Sequence, residues 1–297
     1  MGSPELAAMA ELLGGLGRMT PDVPVDQQRA AADGVGSMFP VPDGVVVSPL
    51  EAPGLRGEWV LAPGADDGRV VLYLHGGGFV IGSPTSHRVW AARLGIEARA
   101  RVLVLDYRLA PEHPYPAALD DAVAAYRWLL DAGYGPGAVA VAGDSAGGGL
   151  ALAAALEARR QEMALPAALV CVSPWVDLEC RAPSIEARDA RDYVLSGAWL
   201  RAMADHYLGG ADPAAPAASP LGASLGGLPA VLVVVGTEEV LFDDALGIRN
   251  ELAAAGVAVE LEVYEDCAHW WMVAGPHLPE TEACASRIAA FLEGRLA

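Results

Sequence analysis

Between the apolar run Ala138-Val139-Ala140-Val141-Ala142 and the small-residue run that begins Gly148-Gly149-Leu150-Ala151-Leu152-Ala153, the chain reads Gly143-Asp144-Ser145-Ala146-Gly147. An extended segment that turns at once into a helix leaves little room beside the turn. Glycines two positions before and two after the serine therefore mark a tight strand-to-helix junction. A chain carrying this junction is committed to a sheet strand with a helix packed directly behind it. The serine side chain then projects beyond the strand end, where the following helix offers free N–H groups and its positive dipole end. Negative charge developing in an acyl transfer would be stabilised there, so the motif proposes a nucleophile as well as a local fold.

From about Val70 onward, β-rich apolar runs alternate with helical patterns, the arrangement of parallel strands joined by crossover helices. The expected strands are Val70–Leu74, Arg101–Leu105, Ala138–Ala142, Ala168–Val172, Ala230–Val235 and Ala258–Tyr264. The expected helices are Ser86–Ala98, Ala117–Asp131, Ala146–Gln161, Asp243–Ala255 and Pro279–Leu292. Val45–Pro49 and Gly57–Leu61 come earlier and would extend the sheet as an antiparallel edge. The expectation is an α/β fold with about eight mostly parallel strands in one helix-flanked sheet, and a single domain over residues 1–297.

Two regions fall outside the alternation. Ser3-Pro4-Glu5 opens a short amphipathic helix with a serine N-cap, a first-turn proline and an acid beside it, within an N-terminal cap segment of residues 1–44. From Glu179 to about Ser219 the gap between strands is too long for one crossover, and it carries Trp199, Met203 and Tyr207 at helical spacing. Both regions, 1–44 and 179–219, read as elements laid over the strand ends, where ligands of open α/β sheets bind.

Composition narrows the partners. Nineteen Lys plus Arg against 38 Asp plus Glu give a net charge of −19, which repels phosphate backbones and anionic lipid surfaces and argues against nucleic acid. No apolar run approaches the length that spans a bilayer, so membrane insertion is not expected. The start, Met1-Gly2-Ser3-Pro4-Glu5, lacks the basic region and apolar core of a secretory signal, and a cytoplasmic location is the expectation. Cys171, Cys180, Cys267 and Cys284 form no C-x-x-C pair, suggest neither a zinc site nor a redox motif, and read as free thiols.

A second motif, His75-Gly76-Gly77-Gly78-Phe79, directly follows the strand Val70–Leu74 at the same sheet end as Ser145. Successive glycines let backbone N–H groups approach a ligand oxygen without a Cβ in the way, as an oxyanion hole requires. Neither G-x-x-x-x-G-K-[ST] nor G-x-G-x-x-G is present, which disfavours a phosphate loop. These residues, with Asp106-Tyr107-Arg108-Leu109-Ala110-Pro111-Glu112 and Ser173-Pro174-Trp175, closely resemble the bacterial hormone-sensitive-lipase family (family IV) of esterases, from about Gly34 to Leu292. Four separated motifs stand in the family's order and spacing. The resemblance implies the α/β-hydrolase fold with a helical cap and serine carboxylic-ester hydrolysis of a small-molecule ester, with no metal or cofactor. It further implies short- to medium-chain acyl groups, and a homodimer through the sheet edge near Ala258–Tyr264 would suit it.

A serine hydroxyl needs a histidine to take its proton and a carboxylate to orient that histidine, and in this fold the order is serine, acid, histidine. Of the histidines after Ser145, His269 lies just beyond the strand Ala258–Tyr264 at the correct sheet end, while His206 falls in the cap and His277 before the last helix. His269 is therefore the expected base. His75 is expected to brace its glycine loop, and His87 and His113 are read as ordinary surface or core residues. After Ala230–Val235 four carboxylates compete: Glu238, Glu239, Asp243 and Asp244. The family pattern, an acid followed by a small or branched residue and leucine, implies Glu239. Glu238 stays in competition, because neighbouring side chains point in different directions, and Asp243 and Asp244 suit the start of the next helix. In the mechanism that results, His269 deprotonates Ser145, Glu239 steadies the imidazole, and N–H groups of Gly77, Gly78 and Ala146 receive the oxyanion. Two alternatives stay open: an enzyme for a specialised amide, lactone or natural-product ester, and a binding receptor without catalysis. Trp175, Trp199, Tyr207, Trp270 and Trp271 are candidate pocket walls.

Overall fold

A computed structural model describes residues 2–297. The apolar runs become β1 (Val46–Pro49), β2 (Gly57–Leu61), β3 (Asp66–Leu74), β4 (Ala100–Leu105), β5 (Val139–Asp144), β6 (Ala168–Val172), β7 (Ala230–Gly236) and β8 (Val259–Tyr264). They form one eight-stranded sheet in the order β1-β2-β4-β3-β5-β6-β7-β8. β2 runs antiparallel to both of its neighbours and every other pairing is parallel. The early strands thus form the antiparallel edge expected of them, and β8 is the opposite edge.

The helices are α1 (Pro4–Leu16), α2 (Val25–Gly36), α3 (Pro84–Ala98), α4 (Ala117–Asp131), α5 (Ala146–Arg160), α6 (Ser184–Ala187), α7 (Gly197–Leu208), α8 (Phe242–Ala254), α9 (Trp271–Ala274) and α10 (Pro279–Leu292). Alternation along the strands divides the core into two layers. Leu72, Leu74, Val141, Leu169 and Val233 face one layer with α4, α5 and α8. Val71, Tyr73, Ala140, Val170 and Val234 face the other, with α3, α9 and α10. β5 is buried along its whole length, which is why it reads as an unbroken apolar run.

Register places the chemistry. Leu74 pairs with Gly143, Asp144 with Val172, Val172 with Val234, and Gly236 with Tyr264. The carboxyl ends of β3, β5, β6, β7 and β8 are therefore aligned, and the loops that follow them share one end of the sheet, where ligands of open parallel sheets bind.

Residues of segments 1–44 and 179–219 reach this end, where Met19, Ala32, Val194, Leu195 and Trp199 line a cavity with Ser145. In α1 the Ser3 side chain accepts from Leu6 N–H at 3.1 Å, the expected cap. α2 was not expected from the sequence: it starts after Pro24 without a side-chain cap, and its buried face consists of Gln28, Ala32 and Gly36, too polar and small to register as an apolar stripe. Tertiary contacts hold it instead. Arg29 donates to Val80 O (2.8 Å) and Ala110 O (2.9 Å) and pairs with Glu112, while Trp199 Nε1–H donates to Gln28 Oε1 at 2.7 Å. Among the described residues no helix is long and apolar enough to cross a membrane.

Candidate active site

Ser145 joins β5 to α5 with φ 55° and ψ −124°, a conformation that L-residues occupy at a cost of about 1–3 kcal/mol. The neighbours over-determine it. Ser145 N–H donates to Val172 O (2.8 Å), and Ser145 O accepts from Gly148, Gly149 and Trp175 N–H. A Cβ on Gly147 would sit 1.9 Å from Leu74 O, and one on Gly143 would sit 2.3 Å from Gly147 O, so both flanking glycines answer to close backbone approach.

Across the turn, Gly77 and Gly78 adopt φ 118° and 61°. Gly76 N–H is held by Asp144 Oδ1 at 3.0 Å. The N–H groups of Gly77 and Gly78 have no hydrogen-bond acceptor among the described residues, and Ala146 N–H, in the first position of α5, has no intrahelical one. Tyr73 O–H also donates to Asp144 Oδ1 (2.7 Å), and His87 Nε2 lies 3.3 Å from Asp144 Oδ2. Burial opposes ionisation of Asp144, but His87 and the Tyr73 hydroxyl outweigh it and hold the carboxyl below its ordinary value. His75 stacks on Tyr107 with ring centroids 4.2 Å apart, and its Nδ1 is 2.8 Å from Gly76 O. Burial, reinforced by His87, pushes the His75 imidazole down to about 3, so it is neutral and donates Nδ1–H to that carbonyl. It braces the glycine loop, as expected.

At the ends of β7 and β8, His269 Nδ1 lies 2.8 Å from Glu239 Oε2. Glu239 is fully buried, and its Oε1 accepts from Ser173 O–H (2.7 Å) and Gly236 N–H (2.6 Å). Glu238 turns the other way, pairing with Arg191 at 2.7 Å. Asp243 and Asp244 occupy the first turn of α8 but spend their carboxylates elsewhere: Asp243 Oδ2 accepts from Ser184 N–H, and Asp244 Oδ1 from Val176 and Asp177 N–H. Burial disfavours a charged His269, yet the Glu239 hydrogen bond and charge, with Asp192 and Asp144, outweigh it and raise the imidazole above its ordinary 6.5.

Ser145 and His269 line one cavity of about 30 Å³ with Gly76, Gly77, Asp144, His87 and Trp270, and with Met19, Leu195 and Trp199 from segments 1–44 and 179–219. Ser145 Oγ is not hydrogen-bonded to His269 in this structure. Gly78 and Ala146 do not line it. Of the five aromatic candidates only Trp199 and Trp270 reach it; Trp175, Tyr207 and Trp271 are buried in the core. Among the described residues no group of three or more His, Cys, Asp or Glu could hold a metal ion.

Comparison with known proteins assigns the chain to a family. Residues 71–273 match a family model described as alpha/beta hydrolase fold. The structure superposes on that of an esterase from the bacterial hormone-sensitive lipase family with a TM-score of 0.96 at 44% identity, covering all of both chains. The chain belongs to this family. Relatives carry the names acetyl-hydrolase, esterase and carboxylesterase, the protein is a carboxylic-ester hydrolase, and the similarity runs the length of the chain. An acetyl-hydrolase of Streptomyces hygroscopicus is 46% identical over 295 residues, 98% of this chain and 97% of the relative. EstE5 soaked by p-nitrophenyl butyrate aligns with a TM-score of 0.94 at 41% identity over 99% of both chains.

Several residues of the site escape sequence reasoning. His87 was read as an ordinary residue but lines the cavity, and its link to Asp144 spans 57 positions. Asp192 carries no motif, yet its buried carboxylate accepts from Val194 and Leu195 N–H (3.0 Å each) and from Val240 N–H (3.1 Å), tying the cap to the residue after Glu239. Ser173 was visible only as part of Ser-Pro-Trp; at φ 48° it directs its hydroxyl to Glu239.

Proposed function

We propose that the protein is a serine carboxylesterase that hydrolyses short-chain acyl esters of small molecules with Ser145, His269 and Glu239, and with Gly77, Gly78 and Ala146 as the oxyanion hole. Residues 1–44 and 179–219 would form its cap. One observation carries the reading: His269 is bonded through Nδ1 to a buried, three-donor carboxylate and lines the cavity of Ser145, which leaves Nε2 for the serine proton.

In the first step His269 Nε2 takes the proton as Ser145 Oγ bonds to the acyl carbon. The resulting imidazolium is stabilised by Glu239, and the oxyanion by the three unengaged N–H groups. The imidazolium then gives its proton to the departing alkoxide. Water repeats the sequence on the acyl-enzyme, releasing the acid and restoring Ser145. The serine–histidine hydrogen bond, unmade in this structure, tightens in the substrate complex, as catalytic hydrogen bonds commonly do. The acetyl-hydrolase relative supports a short acyl group.

The test is hydrolysis of p-nitrophenyl acetate by wild type and Ser145→Ala, together with fluorophosphonate labelling. Turnover and covalent labelling of wild type, both lost in the variant, are expected. A labelled peptide elsewhere, or wild-type turnover in Ser145→Ala, would refute the assignment. No labelling at all would favour a non-catalytic receptor.

A further inference from the structure

The cavity at Ser145 is small. At about 30 Å³ it has room for roughly two or three water-sized groups, using about 10–15 Å³ for each, which suits the heavy atoms of an acetyl group and little more. Beside it runs a groove of about 250 Å³ lined mainly by apolar side chains, among them Leu13, Val23 and Val35 of the N-terminal segment. Three residues belong to both spaces: Met19, Val194 and Trp270. They are a shared wall.

The wall is where the two cap sequences join. Met19 N–H donates to Val194 O at 3.0 Å, and Arg18 pairs with Asp189 at 3.1 Å, so the N-terminal segment and the 179–219 segment are fastened on either side of it. On the sheet side, Asp192 holds the backbone of Val194 and Leu195 against Val240. Trp270 adjoins His269, and its ring lies tilted against His87 with centroids 6.1 Å apart, so it is built into the site. Met19 and Val194 come from the cap alone, and neither is fully buried.

We propose that the Met19 and Val194 side chains set the acyl-chain length this protein accepts: they close the acyl pocket at about two carbons and shut off a groove that would otherwise take the methylenes of a longer fatty acyl chain. The inference rests on the esterase reading above and concerns the acyl half of the substrate. The groove's occupant follows from the wall it shares with the catalytic cavity and from its apolar lining. Removing the methionine stem joins the two spaces, and each further acyl methylene then leaves water for an apolar wall. Such a transfer is worth roughly fourfold in binding per methylene.

The experiment measures kcat/KM for p-nitrophenyl acetate, butyrate and octanoate with wild type, Met19→Ala, Val194→Ala and the double variant Met19→Ala/Val35→Trp. Wild type should prefer acetate. Each alanine variant should raise the octanoate-to-acetate ratio by at least about tenfold, and Val35→Trp, which refills the groove from its far side, should reverse most of that gain. The ratio is independent of the fraction of folded enzyme. Ratios unchanged within about twofold in both alanine variants, a wild type that prefers octanoate, or a double variant that keeps the full gain would each overturn the proposal while leaving an active esterase. A wild type inert to all three esters would instead remove the esterase reading, and this inference with it.

Discussion

Replacing Glu239 by glutamine tests the base and its support together, because the surrounding donors dictate how the amide must sit. Glu239 Oε1 accepts from Gly236 N–H at 2.6 Å, and a backbone N–H can only donate. The amide oxygen is therefore held at that position and the NH₂ group takes the place of Oε2, 2.8 Å from His269 Nδ1. An NH₂ group there requires Nδ1 to accept, which moves the imidazole proton to Nε2, on the side of Ser145. This is the wrong tautomer for a base. The same inversion in a serine protease costs about 10⁴ in kcat, or roughly 5 kcal/mol of barrier at 1.36 kcal/mol per decade. We expect kcat for p-nitrophenyl acetate to fall by about 10³–10⁴ in Glu239→Gln with KM little changed. Glu238→Gln, which removes only the pair with Arg191, should stay within about threefold of wild type, since partly exposed ion pairs contribute little. A Glu239→Gln enzyme within tenfold of wild type, or a larger loss at Glu238, would refute the assignment of the acid.

The donor on the other side of the carboxylate is testable in the same assay. Ser173→Ala removes a 2.7 Å hydrogen bond to a buried charge, worth about 1.5–3 kcal/mol, and should lower kcat on the order of tenfold to a hundredfold without shifting KM; an unaltered kcat would show the hydroxyl to be dispensable. His269 must be neutral to accept the serine proton, and its pKa is raised above 6.5, so kcat/KM should rise with pH along an acid limb whose midpoint lies above 6.5. Asp192→Asn removes one of the negative charges that raise it and should move that midpoint to lower pH; a wild-type midpoint at or below 6.5 would contradict the environment described for His269.

What the sequence made legible follows from the range of the interactions involved. Strands and helices of the sheet are read from local periodicity, and β6, β2, α4 and α10 coincide with their expected bounds because turn residues and apolar faces lie within the segments themselves. The groups at the sheet end are legible for the same reason: a strand end, a glycine turn and a histidine in a loop are local features. The choice between Glu238 and Glu239 is not local. Which of the two meets His269 turns on Ser173 and Gly236 holding Glu239 and on Arg191 pairing with Glu238, contacts invisible in a run of two glutamates. α2 was illegible because Pro24 supplies no side-chain cap and its support comes from Arg29 and Gln28 reaching the sheet loops and α7.

The same distinction separates chemistry from specificity in this molecule. Ser145, the glycine loop, Glu239 and His269 all follow the aligned carboxyl ends of neighbouring parallel strands. The residues that segments 1–44 and 179–219 bring to the cavity are placed instead by contacts between those segments: the Met19 N–H to Val194 O hydrogen bond, which joins positions 175 apart in the chain, and the Arg18–Asp189 pair. Their connection to the reaction runs through Asp192, whose carboxylate binds the backbone of Val194 and Leu195 with one oxygen and that of Val240 with the other. A change in the cap can therefore resize the pocket while the nucleophile stays put. A change at Asp192 should disturb pocket and acid loop together, and it is the residue at which chain-length preference and the pH profile ought to move in one variant.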